Sequence, residues 1–283
     1  MSELIFSRPR KQEGEPAAEP VSEPAPRGRL DWVWLMSVPM LAFLILPLAA
    51  LLLRITPQQL VANLTSPQVL QAVTISLRTS LFTAAAAVIF GTPLAYLLAR
   101  RKFRGKKLVE TLVDLPIVLP PAVAGVALLM AFGRRGVLGS TLDAWGVQIA
   151  FTALAVVLAQ LFIATPLYIR AATLGFAGVE PELEQAAGLD GAGAWGVFRM
   201  VTLPLSRSAL LSGVMMTFAR ALGEFGATII FAGNFPGRTQ TMPMAIYLGF
   251  ELDLEMALTL SVILIGLSFL ILLLIKVFVQ RDS

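Results

Sequence analysis

Residues 180–204, EPELEQAAGLDGAGAWGVFRMVTLP, form a polar segment between two long apolar runs. Within the segment, Gln185-Ala186-Ala187 is followed after three residues by Gly191, and after nine more by Val201-Thr202-Leu203-Pro204. Proline is favoured at the first position of a helix, so Glu180-Pro181 predicts a helix start. Glycine adopts a left-handed turn at little cost, so Gly191 predicts the end of that helix. The segment therefore predicts a helix, a turn and a second helix.

Composition places the chain among membrane proteins. Hydrophobic residues make up 57% of it and charged residues 14%, and the mean hydropathy is +0.78. Each of six apolar runs approaches the roughly 20 residues that a helix needs to cross about 30 Å of hydrocarbon. They lie at about 32–53, 79–99, 115–132, 149–174, 209–233 and 256–279. We predict an all-α, polytopic membrane protein with six transmembrane helices in residues 30–283, and an exposed loop at 175–208.

The distribution of Lys and Arg predicts the orientation in the membrane. The 100–107 segment is the most basic, and the N-terminal tail and the 175–208 loop lie on the same side. We expect that side, and both termini, to be cytoplasmic in a multi-pass protein of the cell's inner membrane. The cations flank membrane spans, so we expect no nucleic-acid partner. Residues 1–29 are rich in Pro, Glu and Ala and predict a disordered cytoplasmic tail rather than a cleaved signal peptide.

Several kinds of chemistry are excluded by what the sequence lacks. Cysteine and histidine are absent, which excludes disulfide bonds, Cys or His metal sites, and Ser–His or Cys–His catalysis. No G-x-x-x-x-G-K-[ST] motif occurs, so the chain cannot hydrolyse ATP by the P-loop route. We expect no metal, no cofactor and no enzymatic activity in this chain. An ATP-driven process would need a separate subunit.

The hairpin of the 175–208 loop has two different faces. Trp195, Phe198 and Val201 recur every third residue and form an apolar face on the second helix, which can grip the bundle. The small Ala face of the first helix can enter a groove on a partner. The alternative is an ordinary hairpin at the membrane surface, and the spacing alone leaves both interpretations open.

The fifth apolar run carries charge inside a predicted span. Met216, Arg220, Glu224 and Thr228 recur every four residues, which predicts one polar stripe on a helix. An ionisable residue in a span costs about 2.5–3.5 kcal/mol on insertion scales, so the stripe should face a cavity or a partner. Arg220 and Glu224 can pair with each other. The stripe either lines the path of an anion at a dimer seam or is a structural ion pair. Small residues beside it allow another backbone to approach closely: Gly213, Thr217 and Ala221.

Prolines interrupt the third apolar run. Pro116, Pro120 and Pro121 cannot donate a backbone hydrogen bond, so they should kink or start a helix there. A kinked span can serve as a hinge or simply reflect packing, and both interpretations stay open.

Several motifs together resemble the permeases of ABC importers. Residues 180–204 are similar to the EAA loop of that family, although Gln185 stands where the motif usually has Glu. Glu184 lies one residue earlier, and because a helix turns about 100° per residue it cannot simply replace that carboxylate. Residues 219–228 (ARALGEFGAT), 231–241 (FAGNFPGRTQT), 119–125 (LPPAVAG) and 132–136 (FGRRG) resemble molybdate permeases. Sulfate permeases are similar more loosely, and the resemblance covers roughly residues 30–280.

The resemblance implies a type I ABC-importer permease fold and a role for particular residues. It implies that coupling to the ATPase involves Glu184, Gln185, Ala186, Ala187, Gly191, Leu203 and Pro204. Together with the polar stripe, it implies that the translocation path or gate includes Arg220, Gly223, Glu224, Gly226 and Thr228.

The implied function is passage of an oxyanion, molybdate or tungstate, through the membrane-spanning subunit of an importer. The implied partners are two ABC ATPase subunits that bind ATP and Mg²⁺, an extracytoplasmic oxyanion-binding protein, and the lipid bilayer. One copy offers one loop for two ATPases, so we expect a homodimer. The alternatives are a sulfate or thiosulfate ABC permease, and a secondary anion carrier or channel. A membrane-embedded enzyme is a third class, without an evident nucleophile and base.

Overall fold

The computed structural model describes residues 31–281, with side chains for 32–277, and all regular structure within that range is helical. The predicted tail at 1–29 lies outside the described residues. The helices are α1 (Asp31–Arg54), α2 (Pro57–Leu64), α3 (Pro67–Arg100), α4 (Lys106–Val118), α5 (Pro121–Phe132), α6 (Gly139–Ala144), α7 (Ala153–Ala177), α8 (Pro181–Leu189), α9 (Ala194–Val197), α10 (Leu203–Leu205), α11 (Arg207–Leu222), α12 (Gly226–Ala232), α13 (Met242–Leu252) and α14 (Leu254–Arg281). Among the described residues, 31–49 belong to one compact unit and 50–281 to a second. Helices α2 to α14 belong to the second.

Four described helices are long and apolar enough to cross a membrane: α1, α3, α7 and α14. Two bent pairs raise the number to six if each is one span. These are α4 with α5, bent by 115°, and the segment Ala194–Leu205 with α11, bent by 71°. The range of four to six agrees with the predicted polytopic fold, while the third and fifth apolar runs are not single straight helices.

Two span boundaries differ from the prediction for identifiable reasons. Helix α3 begins at Pro67 rather than near residue 79, because Ser66 caps it and its hydroxyl accepts a hydrogen bond from the amide of Val69. The predicted 115–132 span breaks at Leu119, the residue that follows the end of α4. Pro121 then opens α5 at its first position. The expectation that prolines kink or start a helix here is confirmed.

Helices α7 and α11 pack closely through small residues. A Cβ built on Gly213 would lie 2.9 Å from the Cβ of Ala171, so no larger side chain fits. Gly213, Thr217 and Ala221 are all buried, and the Thr217 hydroxyl donates to the carbonyl oxygen of Ala164 at 3.4 Å. The predicted close approach along this stripe is confirmed.

A second close contact joins the two broken spans. A Cβ on Gly125 of α5 would lie 2.8 Å from the carbonyl oxygen of Ala227 in α12. A Cβ on Gly226 would lie 2.8 Å from the Cβ of Pro121. Helices α5 and α12 therefore meet at backbone distance, and any shift of one must move the other.

Candidate functional site

The 175–208 loop folds as the predicted helix, turn and second helix. Helix α8 runs from Pro181 to Leu189, and Gly191 follows with φ 92°, in the left-handed region where a side chain would be strained. The amide of Ala192 closes the turn by donating to the carbonyl oxygen of Ala187 at 3.0 Å. The sequence therefore predicted the turn residue correctly.

The second helix of the hairpin contains a π-helical turn. It resumes at Ala194, passes through a π-helical turn over Phe198–Thr202 and ends at Leu205. Pro204 lies in its last turn, and the helix ends one residue later. The bend comes at Ser206, whose hydroxyl hydrogen-bonds the carbonyl oxygens of Thr202 at 2.7 Å and Gly175 at 3.1 Å.

Glu184 ties this loop to the rest of the molecule. One of its carboxylate oxygens, Oε1, accepts from Arg100 Nη2 at 2.7 Å and from Thr202 Oγ1 at 2.6 Å. The same arginine nitrogen donates to the carbonyl oxygen of Val179 at 3.0 Å. The side chains of Arg100 and Glu184 are only 15% and 18% exposed. Three segments, α3, α8 and the π-helical turn, therefore share one charged contact, which holds the hairpin at a fixed angle.

Gln185 faces the other way. It is exposed, while its neighbour Glu184 is half-buried in the contact just described. The two residues point to different sides of α8, as the helical turn requires. Glu184 thus supports the loop and lies away from its outer surface, whereas Gln185 and Ala186 are exposed.

The outer surface of the hairpin includes small residues and one highly exposed apolar side chain. Ala186 and Gly188 are exposed, and Leu189 is 90% exposed. A Cβ on Gly188, Gly191 or Gly193 would meet no atom within 4 Å. Leu203, also predicted to contact a partner, is 36% exposed.

The aromatic face of the second hairpin helix packs against the helix bundle through Phe198. The ring of Phe198 lies 5.3 Å from that of Tyr96 in α3 and 6.0 Å from that of Phe176 in α7. Trp195 stacks on Phe198 at 5.5 Å but remains 71% exposed. The prediction that an aromatic residue packs on the bundle is confirmed for Phe198. Trp195 contacts Phe198 and is otherwise mostly exposed.

The polar stripe of the fifth run is broken. Helix α11 ends at Leu222, Gly223 follows it as an exposed cap, and α12 begins at Gly226. Met216, Arg220, Glu224 and Thr228 therefore do not lie on one continuous helix. That prediction was wrong because Gly223 and Gly226 interrupt the helical period.

The predicted ion pair nevertheless forms. Arg220 Nη1 lies 2.8 Å from Glu224 Oε2. The Glu224 side chain is 1% exposed and its Oε1 accepts from the amide of Ala227 at 2.9 Å. Arg220 is 36% exposed. Glu224 is thus both the partner of Arg220 and the group that stabilises the first turn of α12, so the pair joins the two halves of a broken helix.

Thr228 lies one turn further along α12. It is fully buried, and its hydroxyl is without a hydrogen-bond partner among the described residues. Glu224 and Thr228 are covered by protein, whereas Arg220 and Gly223 reach the surface. The five predicted path residues therefore do not form one open surface.

The chain is similar to known membrane proteins over most of its length. Residues 87–281 match the family described as binding-protein-dependent transport system inner membrane component. The chain is 38% identical over 242 residues to the molybdenum transport system permease protein ModB of Mycobacterium tuberculosis, covering 86% of this chain and 92% of that protein. It is 46% identical over 185 residues to the protein of the same name in Escherichia coli K12, covering 65% of this chain and 80% of that protein.

Solved structures show the same fold. The chain resembles one from a bacterial alginate ABC transporter in complex with alginate pentasaccharide-bound periplasmic protein, with a TM-score of 0.69 and 19% identity over 89% of this chain and 95% of that one. It also resembles a chain of the MetNI methionine ABC transporter, with a TM-score of 0.59 and 17% identity over 76% of this chain and 96% of that one. These likenesses confirm the predicted all-α membrane fold.

Proposed function

The chain belongs to the family of binding-protein-dependent transport system inner membrane components, and we propose that it is the membrane-spanning subunit of an ATP-driven molybdate importer. Relatives at 38% and 46% identity are named molybdenum transport system permeases. Tungstate, a tetrahedral dianion of nearly equal size, falls within the same proposal. A permease subunit does not itself catalyse ATP hydrolysis, so ATP and Mg²⁺ would bind to a separate ATPase.

The observation that carries this proposal is the supported hairpin. Its outer surface at Ala186, Gly188 and Leu189 is exposed, while Glu184 anchors its inner side to Arg100. A loop that transmits force needs a surface for the partner and a stiff connection to the helices that move. The charged contact provides the connection, and the packing of Phe198 against α3 and α7 adds a second one.

The proposed assembly follows from one hairpin per chain. Two ATPase subunits need two hairpins, so we propose a homodimer with the path at its two-fold axis. The basic 100–107 segment and the hairpin would lie on the cytoplasmic side, with both termini. An oxyanion-binding protein would deliver substrate at the opposite side.

We place Arg220 and Glu224 beside the proposed path as a gate element. Their pairing offsets the positive charge that would otherwise hold a dianion tightly and slow its release. Because Glu224 also stabilises the start of α12, a change in the pair would be transmitted through the contact of Gly125 with α12 to the bent third span.

A site-specific cross-link tests the proposal. The chain contains no cysteine, so Ala186→Cys provides a single attachment point for a photoactivatable cross-linker. We expect this variant, in the assembled complex, to cross-link to the ATPase subunit. The matched control is Ser140→Cys, an exposed residue that we place on the opposite side of the membrane. Cross-linking to the ATPase from residue 140, or from neither residue in an intact complex, would contradict the proposed coupling surface.

A further inference from the structure

A groove of about 570 Å³ lies between the last turns of α3 and the second helix of the hairpin. Its wall on α3 is apolar and includes Val88, Ile89 and Pro93. Its wall on the hairpin is mainly aromatic, with Trp195 and Phe198 beside Ala194. Arg101 also lines it. The groove thus combines a hydrophobic slot with one cation, which is the chemistry of an amphiphilic anion.

The charge on Arg101 is available to a ligand. Its neighbour Arg100 is held by Glu184, whereas no carboxylate of the described residues lies within salt-bridge distance of Arg101. Lys102, Arg104 and Lys107 follow it and are all exposed. The groove therefore opens onto a surface of uncompensated positive charge.

We propose that this groove binds an anionic phospholipid, with its phosphate on Arg101 and an acyl chain along the α3 wall. Cations directly after a membrane helix attract the anionic lipids of the cytoplasmic leaflet, and α3 ends one residue before Arg101. Aromatic residues such as Trp195 and Tyr96, which also lines the groove, are enriched at the membrane surface.

The α3 wall explains why the ligand is a lipid and not a free anion. Ile89 is 64% exposed and the adjacent Phe90 is 73% exposed, so the apolar wall continues along the outer side of α3. A soluble phosphate would satisfy Arg101 and leave this apolar surface uncovered. A phospholipid matches both features, because its phosphate can reach Arg101 while its acyl chain covers the apolar wall of α3.

The bound lipid would act on the hairpin. It would contact α3 on one side and Trp195 on the other, and Trp195 stacks on the anchoring Phe198. Occupation of the groove therefore favours the hairpin in its docked position and makes coupling to the ATPase dependent on anionic lipid. This inference goes beyond the proposed function, since the lipid is a separate ligand from the transported anion.

The test is retention of phosphatidylglycerol by the assembled complex, measured by native mass spectrometry after release from membranes of equimolar phosphatidylglycerol and phosphatidylcholine. We expect Arg101→Gln to weaken phosphatidylglycerol binding about five-fold, the effect of about 1 kcal/mol for one cation near the membrane surface. Ile89→Trp, which fills the groove and leaves the charge in place, should also reduce retention. The control Lys107→Gln removes a charge of the same segment outside the groove and should reduce retention much less than Arg101→Gln does.

Two results would overturn the inference. Equal losses in Arg101→Gln and Lys107→Gln would show a diffuse attraction to the whole basic segment. Full retention in Ile89→Trp would show that no acyl chain occupies the groove. Because lipid retention is read directly, it can fail while molybdate transport is intact, and it can succeed for a different transported anion.

Discussion

Removal of the Glu184 carboxylate should release the hairpin from the helices that support it. In the structure one carboxylate oxygen accepts two hydrogen bonds, from Arg100 at 2.7 Å and from Thr202 at 2.6 Å, in a contact with little exposure. A hydrogen bond to a charged group contributes about 1.5–3 kcal/mol, and the arginine left behind loses its partner. The two bonds share one oxygen and do not add fully. We therefore expect Glu184→Ala to weaken docking of the hairpin by about 3 kcal/mol.

This free energy corresponds to a shift of roughly a hundred-fold in the equilibrium between docked and undocked hairpin. The assay is hydrogen exchange of the backbone amides of α8, whose protection should fall by about that factor while protection of α7 is unchanged. Substrate-stimulated ATP hydrolysis by the complex should fall in parallel. Glu182→Ala is the matched control, since Glu182 is exposed on the same short helix. Similar exchange in the two variants would refute the role of Glu184 as the support of the loop.

Three further predictions concern the turn, the close contact and the ion pair. Gly191→Val should destabilise the hairpin by about 1–2 kcal/mol. The cost comes from the left-handed backbone alone, because a Cβ at this position meets no other atom. Binding of the ATPase should weaken in a pull-down, and unchanged binding would contradict the prediction. Gly125→Ala should lower the thermal stability of the complex, since its Cβ would lie 2.8 Å from a carbonyl oxygen of α12, whereas Gly266→Ala should not. Arg220→Met and Glu224→Gln should each impair assembly more than the double variant does, because each leaves one charge without its partner and Glu224 is only 1% exposed; a double-mutant cycle without coupling would remove the pair from the account.

The apolar runs were sufficient to predict three of the long helices. Hydropathy reports burial in lipid, so α1, α7 and α14 lie close to the predicted spans. Hydropathy does not report where the helix axis changes direction, and therefore it missed the breaks inside the third and fifth runs. The signals for those breaks were present as Leu119-Pro120 and as Gly223 and Gly226, but apolar content masked them. Polar residues such as Ser76 hid the first turns of α3, although Ser76 is buried and accepts from the amide of Met242 at 2.7 Å.

The local geometry of the hairpin could be predicted from the sequence, whereas the contact that joins the hairpin to α3 could not. The left-handed turn at Gly191 follows from residue type, and the opposite directions of Glu184 and Gln185 follow from the turn of a helix. The contact of Glu184 with Arg100 joins residues 84 positions apart. No periodicity within one segment can indicate such a partner, because tertiary packing decides which of several nearby cations reaches the carboxylate.

Uptake of radiolabelled molybdate into proteoliposomes tests the central claim most directly. The vesicles would contain this chain assembled with its ATPase, with binding protein outside and ATP inside. We predict uptake that requires both ATP and the binding protein and that tungstate inhibits by competition. Uptake driven by an ion gradient in the absence of ATP, or ATP-dependent uptake of sulfate that excess molybdate leaves unchanged, would contradict the assignment of this chain as the membrane subunit of a molybdate importer.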